Sequence, residues 1–148
     1  MLKDTVKLVR SQQGLSLIEI MIALALIALA GTFVGGRVFD NLQQGKQQTA
    51  RIQIKSLSDR LKEFRRDCNF FPDSTMGLDA LLNKPQGGRE CKRYAPNGYL
   101  DGDKIPVDPW DAEYVYESDG KTFNIISLGA DNAEGGEGFD ADISSKDI

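Results

Sequence analysis

From Leu15 to Gly36 the chain runs for 22 residues with a single formal charge, Glu19. As a helix rising ~1.5 Å per residue the run would be about 33 Å long, enough for a hydrocarbon core of about 30 Å. A helix apolar on nearly every side needs lipid or other helices around it. Ahead of it, residues 1 to 14 set Lys3, Lys7 and Arg10 against Asp4. The positive-inside tendency therefore keeps the N-terminus cytoplasmic and sends the rest of the chain across the membrane. A secretory signal peptide fits poorly, because its apolar centre takes about 7 to 15 residues and its cleavage site follows that centre. Here the plausible processing point, Gly14, precedes the run. Cutting there removes the basic leader and leaves the anchor, so a chain numbered from Met1 is expected to be a precursor.

A carboxylate near the helix centre costs at least ~2.5 kcal/mol on insertion scales, and such groups usually have a partner. Cleavage after Gly14 would create a cationic amine on Leu15, four residues before Glu19 and on the same helix face. The amine of the same chain or of a neighbour could then neutralise Glu19; the other reading is a glutamate tolerated near the interface. Gly14 followed by Leu15-Ser16-Leu17-Ile18-Glu19-Ile20-Met21 resembles the class III signal of type IV pilins and pseudopilins. That resemblance implies cleavage after Gly14 by a prepilin peptidase, N-methylation of Leu15, and pairing of Glu19 with the first residue's amine of an adjacent subunit during assembly. Leu15 departs from the family's usual Phe at the first mature position.

Downstream, Ala50, Ile54, Leu57, Leu61 and Phe64 recur at the alternating four and three spacing of an amphipathic helix. A continuous helix from Leu15 to Arg66 would span roughly 78 Å, its first half free and its second half packed on a small domain. The glycines at 31, 35, 36 and 45 interrupt it, each costing ~1 kcal/mol relative to Ala. They predict a kink or local melting between Gly31 and Gly45 when subunits pack, or alternatively close helix approach in a bundle.

The net charge of −4 hides a division. Residues 37–66 carry eight basic and three acidic side chains, and residues 67–148 carry seven and seventeen. A basic stem thus precedes an acidic head. Solvated surface explains such runs; so does complementarity between subunits, or attraction of the stem to lipid headgroups. Nucleic acid is not an expected partner, because the basic residues lack an aromatic platform and the head would repel phosphate. There is no histidine, and no catalytic set of carboxylates or serines stands out, so no enzyme is expected.

In the head, residues 67–148, "FFPDSTMGLDALLNKP" reads as an extended lead-in, a turn and a short helix from Gly77 to Asn83. Two β-like runs, Glu113–Glu117 and Thr122–Ser127, flank Ser118-Asp119-Gly120-Lys121, good hairpin chemistry. Trp110 beside several tyrosines reads as a core or subunit-interface residue rather than a ligand pocket. The fold class expected is α+β, a long helix packed on a small antiparallel sheet. So few residues make a marginal core, and two staples are available.

Cys68 and Cys91, the only cysteines, lie in the segment expected to face an oxidising compartment and should form a disulfide. The second staple is "SLGADNAEGGEGFDADI", residues 127–143, where Asp131, Glu134, Glu137, Asp140 and Asp142 crowd among glycines. From composition alone it is either a calcium loop, supplying carboxylate and carbonyl oxygens, or a disordered acidic tail. The EF-hand pattern is absent.

Together "DPWDAEYVY", residues 108–116, and that acidic segment resemble the head of the major pseudopilin of type II secretion systems, where the pattern runs DPWG-x-x-Y and SLGADG-x-EGGEG-x-DADI. Asp111 and Asn132 stand where the pattern has glycine. The resemblance implies a pilin-like fold and one bound calcium, with Asp131, Asp140 and Asp142 as side-chain ligands and the carbonyls of Leu128 and Ala133 contributing. It also implies a structural subunit of a helical homopolymer, partnered by minor pseudopilins, an inner-membrane assembly platform and prepilin peptidase. The subunit would wait in the inner membrane with its head periplasmic, then stack into a pseudopilus that drives folded proteins through the outer membrane. A type IV or competence pilin, or a monomeric membrane-anchored calcium module, are the alternatives.

Overall fold

The structure, a computed structural model, describes residues 16–148, residues 33–35 by their backbone alone. Helix α1 runs from Leu17 to Cys68 without a break, and the chain divides into two compact units at Phe39 and Asp40. In the unit that ends at Phe39 the large apolar side chains stay uncovered: Leu17 is 77% exposed and Ile27 68%. Gly31, Gly36 and Gly45 touch nothing that a Cβ would meet, so no contact within one copy demands glycine there.

The unit Asp40–Ile148 is built on the other half of the helix. Ala50, Ile54, Leu57, Leu61 and Phe64 are fully buried, as their spacing requires, and Cys68 closes the stripe. Each of the larger ones contributes about 1.5–3 kcal/mol by leaving water. In the same core lie Tyr114, just ahead of β1, and Ile125 and Ile143 from an antiparallel sheet of order β1-β2-β3: β1 is Val115–Ser118, β2 Phe123–Ser127 and β3 Ile143–Ser144. Tyr116 pairs with Ile125, and Ser127 with Ile143.

The expected hairpin is present, with both strands starting one or two residues later than the sequence pattern suggested. Its turn is set by Asp119, whose carboxylate accepts from the backbone N–H groups of Lys121 and Thr122 at 2.9 and 2.7 Å. Those bonds, Thr122 first, hold that carboxyl below its usual range. The helix expected over Gly77–Asn83 shrinks to a single 3-10 turn, Leu78–Leu81. Gly77, at φ 63°, is its N-cap, and at the other end the Leu81 carbonyl accepts from the Tyr99 N–H at 2.7 Å instead of continuing a helix. Before that turn, Asp73 bridges to Asp119 and gathers Thr75 and Met76 onto its own carboxylate.

Cys68 and Cys91 form a disulfide across 23 residues of sequence. In the chain-entropy picture that closure contributes about 3 kcal/mol. Phe64, Phe70, Tyr94 and Tyr99 pack beside it, edge-on except for the tilted Phe64–Tyr99 pair. Burial pushes the Tyr99 phenol up to about 12, so the hydroxyl keeps its proton and donates it to Asp67 at 3.1 Å.

Candidate functional site

Two parts of the chain carry the expected chemistry, and each belongs to one unit. Glu19 sits in the first turn of α1, where Ser16 accepts from the Glu19 and Ile20 amides at 2.9 and 3.1 Å. A carboxylate is favoured at a helix N-terminus by the unpaired N–H groups there. Around it Leu17, Ile18, Met21 and Ile22 are more than half exposed. Among the described residues this is the one helix long and apolar enough to cross a membrane, and none of its apolar window is buried. Gly14 and Leu15, the expected cleavage pair, lie outside the described residues.

The acidic segment is a tight, ordered loop leading from β2 into β3. Gly129 has φ 70° and Gly136 φ 77°, and a Cβ on either would collide with the carbonyl of Asp140, so the backbone folds back on itself there. Ala130 N–H donates to Phe139 C=O at 3.1 Å and Asp142 N–H to Gly135 C=O at 3.2 Å. The Asp131 carboxylate accepts from the Ala133 N–H at 3.1 Å, and that of Asp142 from the Gly135 N–H at 3.0 Å. Asp140 makes no such bond, and the carbonyls of Leu128 and Ala133 accept none among the described residues.

The donor set is carboxylate and carbonyl oxygen only, the chemistry a hard cation such as calcium requires. No three acidic side chains converge among the described residues. A cation here would therefore draw much of its coordination from main-chain carbonyls. The oxygens of Asp131, Asp140 and Asp142 and the carbonyls of Leu128 and Ala133 are of the type a calcium ion takes, while the Asp131 and Asp142 carboxylates are turned to the N–H groups of the loop itself.

Three residues that sequence reasoning overlooked hold this loop and the DPW turn in place. Gln47 Nε2 donates to the carbonyl of Gly138 at 2.7 Å, and one turn earlier Gln43 Oε1 accepts from the Trp110 indole N–H at 2.9 Å. The signal was available: Gln43 and Gln47 extend the four-three stripe of the buried helix face upstream from Ala50. The third is Asp108, only 2% exposed. One carboxylate oxygen accepts from the Trp110 and Ala112 amides at 3.0 and 2.8 Å, and the other from the Ser127 hydroxyl at 2.7 Å. Next to it, burial and then the Asp108 charge push the Tyr114 phenol up, keeping it the donor to Gln53 Oε1.

Residues 37–146 match the family described as type II secretion system, protein G. The chain belongs to the type II secretion system protein G family. Residues 9–35 separately match the prokaryotic N-terminal methylation motif. Among curated relatives, the type II secretion system core protein G of Pseudomonas aeruginosa is 37% identical over 140 residues, covering 93% of this chain and 97% of that one. The core protein G of Vibrio cholerae is 35% identical, covering 96% and 97%. The crystal structure of the major pseudopilin from the type 2 secretion system of enterohaemorrhagic Escherichia coli superposes with a TM-score of 0.62 at 27% identity, over 73% of this chain and 92% of that one. The α+β fold of long helix and small sheet is the fold of this pseudopilin family.

Within that family the two departures from glycine have a geometric meaning. Asp111 has φ 67° and Asn132 φ 54°. Both positions therefore call for the left-handed backbone that glycine adopts freely and that Asn and Asp tolerate better than other residues.

Proposed function

We propose that this chain is the major structural subunit of a type II secretion pseudopilus, polymerising through α1 to drive folded proteins across the outer membrane. Membership of the protein G family supports the reading, and one observation carries it: the apolar half of α1 is uncovered in a single copy yet bears Glu19 in its first turn. Prepilin peptidase would cut after Gly14 and the new N-terminus, Leu15, would be methylated. The subunit would rest in the inner membrane, N-terminus cytoplasmic and head periplasmic. Assembly would then join it to further copies, to minor pseudopilins and to an inner-membrane platform. In the assembled state Glu19 pairs with the Leu15 amine of a neighbour, which removes the cost of two charges in an apolar bundle. The role is mechanical, and no step of it needs catalysis by the chain.

Glu19→Ala tests the reading in cells carrying the whole secretion machinery. The variant should still enter the membrane fraction, whereas sheared filaments and export of folded cargo should drop to background. Normal filaments from Glu19→Ala would point instead to a fibre held together by contacts other than Glu19.

We further propose that the loop 127–143 holds one calcium ion through Asp131, Asp140, Asp142 and the carbonyls of Leu128 and Ala133. Calcium when bound would neutralise the loop's crowded acids and tie β2 to β3. At 100 times its dissociation constant it should add ~2.7 kcal/mol to the unit Asp40–Ile148 and raise its melting temperature by several degrees. Asp131→Ala or Asp140→Ala should abolish the rise. Equal melting in calcium and in chelator would leave the segment a solvated acidic loop.

A further inference from the structure

Among the described residues the charge division between stem and head is discharged within one copy only by the Arg60–Asp101 pair. In the unit Asp40–Ile148, Arg60, Lys62 and Arg66 of α1 are engaged by Glu63, Asp59 and Asp101. The Arg65 guanidinium lies over the Phe71 ring at 5.0 Å. Arg51 and Lys55, one helical turn apart and both exposed, have neither an ion pair nor a side-chain hydrogen bond among the described residues. Ile52, beside Lys55 on the adjoining side of the helix, is 59% exposed, so an apolar spot borders the two cations on a surface that nothing covers. On the acidic loop, Glu134 and Glu137 are likewise exposed and unpaired, and neither is among the proposed calcium ligands. Asp131 and Asp142 turn their carboxylates to the loop's own N–H groups. The loop touches α1 of the same copy at Gln47, one turn before Arg51, yet its two glutamates do not reach Arg51 or Lys55.

We infer that the Arg51–Ile52–Lys55 face of α1 receives the Glu134–Glu137 edge of the acidic loop from a second copy of this chain. The inference rests on the polymer reading above and says which surfaces meet. Two different, complementary patches on one molecule make a heterologous contact, and repeated heterologous contacts that do not close produce an open helical filament. Opposite charge steers the approach and fixes register, while the apolar contact at Ile52 excludes water from the pair.

The test is charge reversal and its reciprocal in the full-length chain, expressed with the whole secretion machinery. Arg51→Glu with Lys55→Glu should leave melting of the head and its response to calcium unchanged, since neither side chain has a partner within the copy. It should lower sheared filament by roughly tenfold. Adding Glu134→Lys and Glu137→Lys to the same chain should restore filament, and those two changes alone should lower it. The neutral pair Arg51→Gln and Lys55→Gln should give an intermediate loss. Wild-type filament from the charge-reversed stem overturns the inference. So does a loss that the reciprocal change fails to restore, and if membrane association falls in parallel the basic face belongs to lipid headgroups. Wild-type and Glu19→Ala filaments, measured alongside, report on the polymer reading independently.

Discussion

Phe64→Ala is expected to destabilise the unit Asp40–Ile148 by about 3–5 kcal/mol, the range for deleting a buried aromatic ring. Phe64 is fully buried, and its ring meets those of Phe70, Tyr99 and Tyr94 at centroid distances of 5.6, 5.4 and 6.1 Å. Its removal strips three aromatic contacts at once, each worth about 0.5–1.5 kcal/mol beyond area. The cavity cannot collapse easily, because the Cys68–Cys91 bridge one turn on fixes the walls. A domain of this size has a total stability of about 5–15 kcal/mol, so the variant should be marginal at 37 °C. Urea unfolding of the unit measures it. Phe64→Leu, which keeps most of the volume, should lose less than half as much, and a loss under about 1 kcal/mol for Phe64→Ala would mean that the aromatic cluster does not hold the head together.

Phe64 could be read directly from sequence, because a helix face repeats. Every member of the Ala50 to Phe64 stripe is buried, and the Asp119-Gly120 hairpin turn lies where its local chemistry puts it. Short-range rules suffice for both. What escaped them depends on partners distant in sequence. Strand β3 is only two residues, Ile143 and Ser144, and exists because β2 offers Ile126 and Ser127 as partners; two residues have no period to detect. The 3-10 turn fell short of the expected helix because the Leu81 carbonyl is taken by the Tyr99 N–H, again a partner distant in sequence.

The candidate site was legible in composition and obscure in geometry. Glu19 stands out as a lone charge in an apolar run, and the crowding of acids and glycines marks the loop 127–143. Neither feature states how the loop is held. The answer is in side chains that look like ordinary surface, Gln43 and Gln47 above all, whose role shows only once the helix stripe is continued upstream. The acids of the loop and of the DPW turn also look alike in sequence. In the fold they divide sharply: Glu134 and Glu137 face water, whereas Asp108 is buried.

That division makes Asp108→Ala the second large effect, about 3 kcal/mol or more. A hydrogen bond to a charged group contributes about 1.5–3 kcal/mol, and orphaning a buried donor costs about 1–3 kcal/mol. Alanine at 108 would remove the acceptor for three donors: the Trp110 and Ala112 amides and the hydroxyl of Ser127, itself fully buried. These losses share one carboxylate and do not add, which is why the expected total sits below their sum. The consequence reaches further than stability. Trp110 binds Gln43 from this turn, and Ser127 is the last residue of β2, from which the acidic loop departs. Asp108→Ala should therefore weaken calcium binding although no proposed ligand is changed, since a looser strand end places Leu128 and Asp131 less accurately. Asp108→Asn keeps an acceptor oxygen for one side of this network and should lose about half as much stability. Double-mutant analysis with Ser127→Ala separates the two roles: coupling above about 0.5 kcal/mol is expected if the Asp108 carboxylate links the DPW turn to β2, and additivity would show that the turn and the loop are held independently.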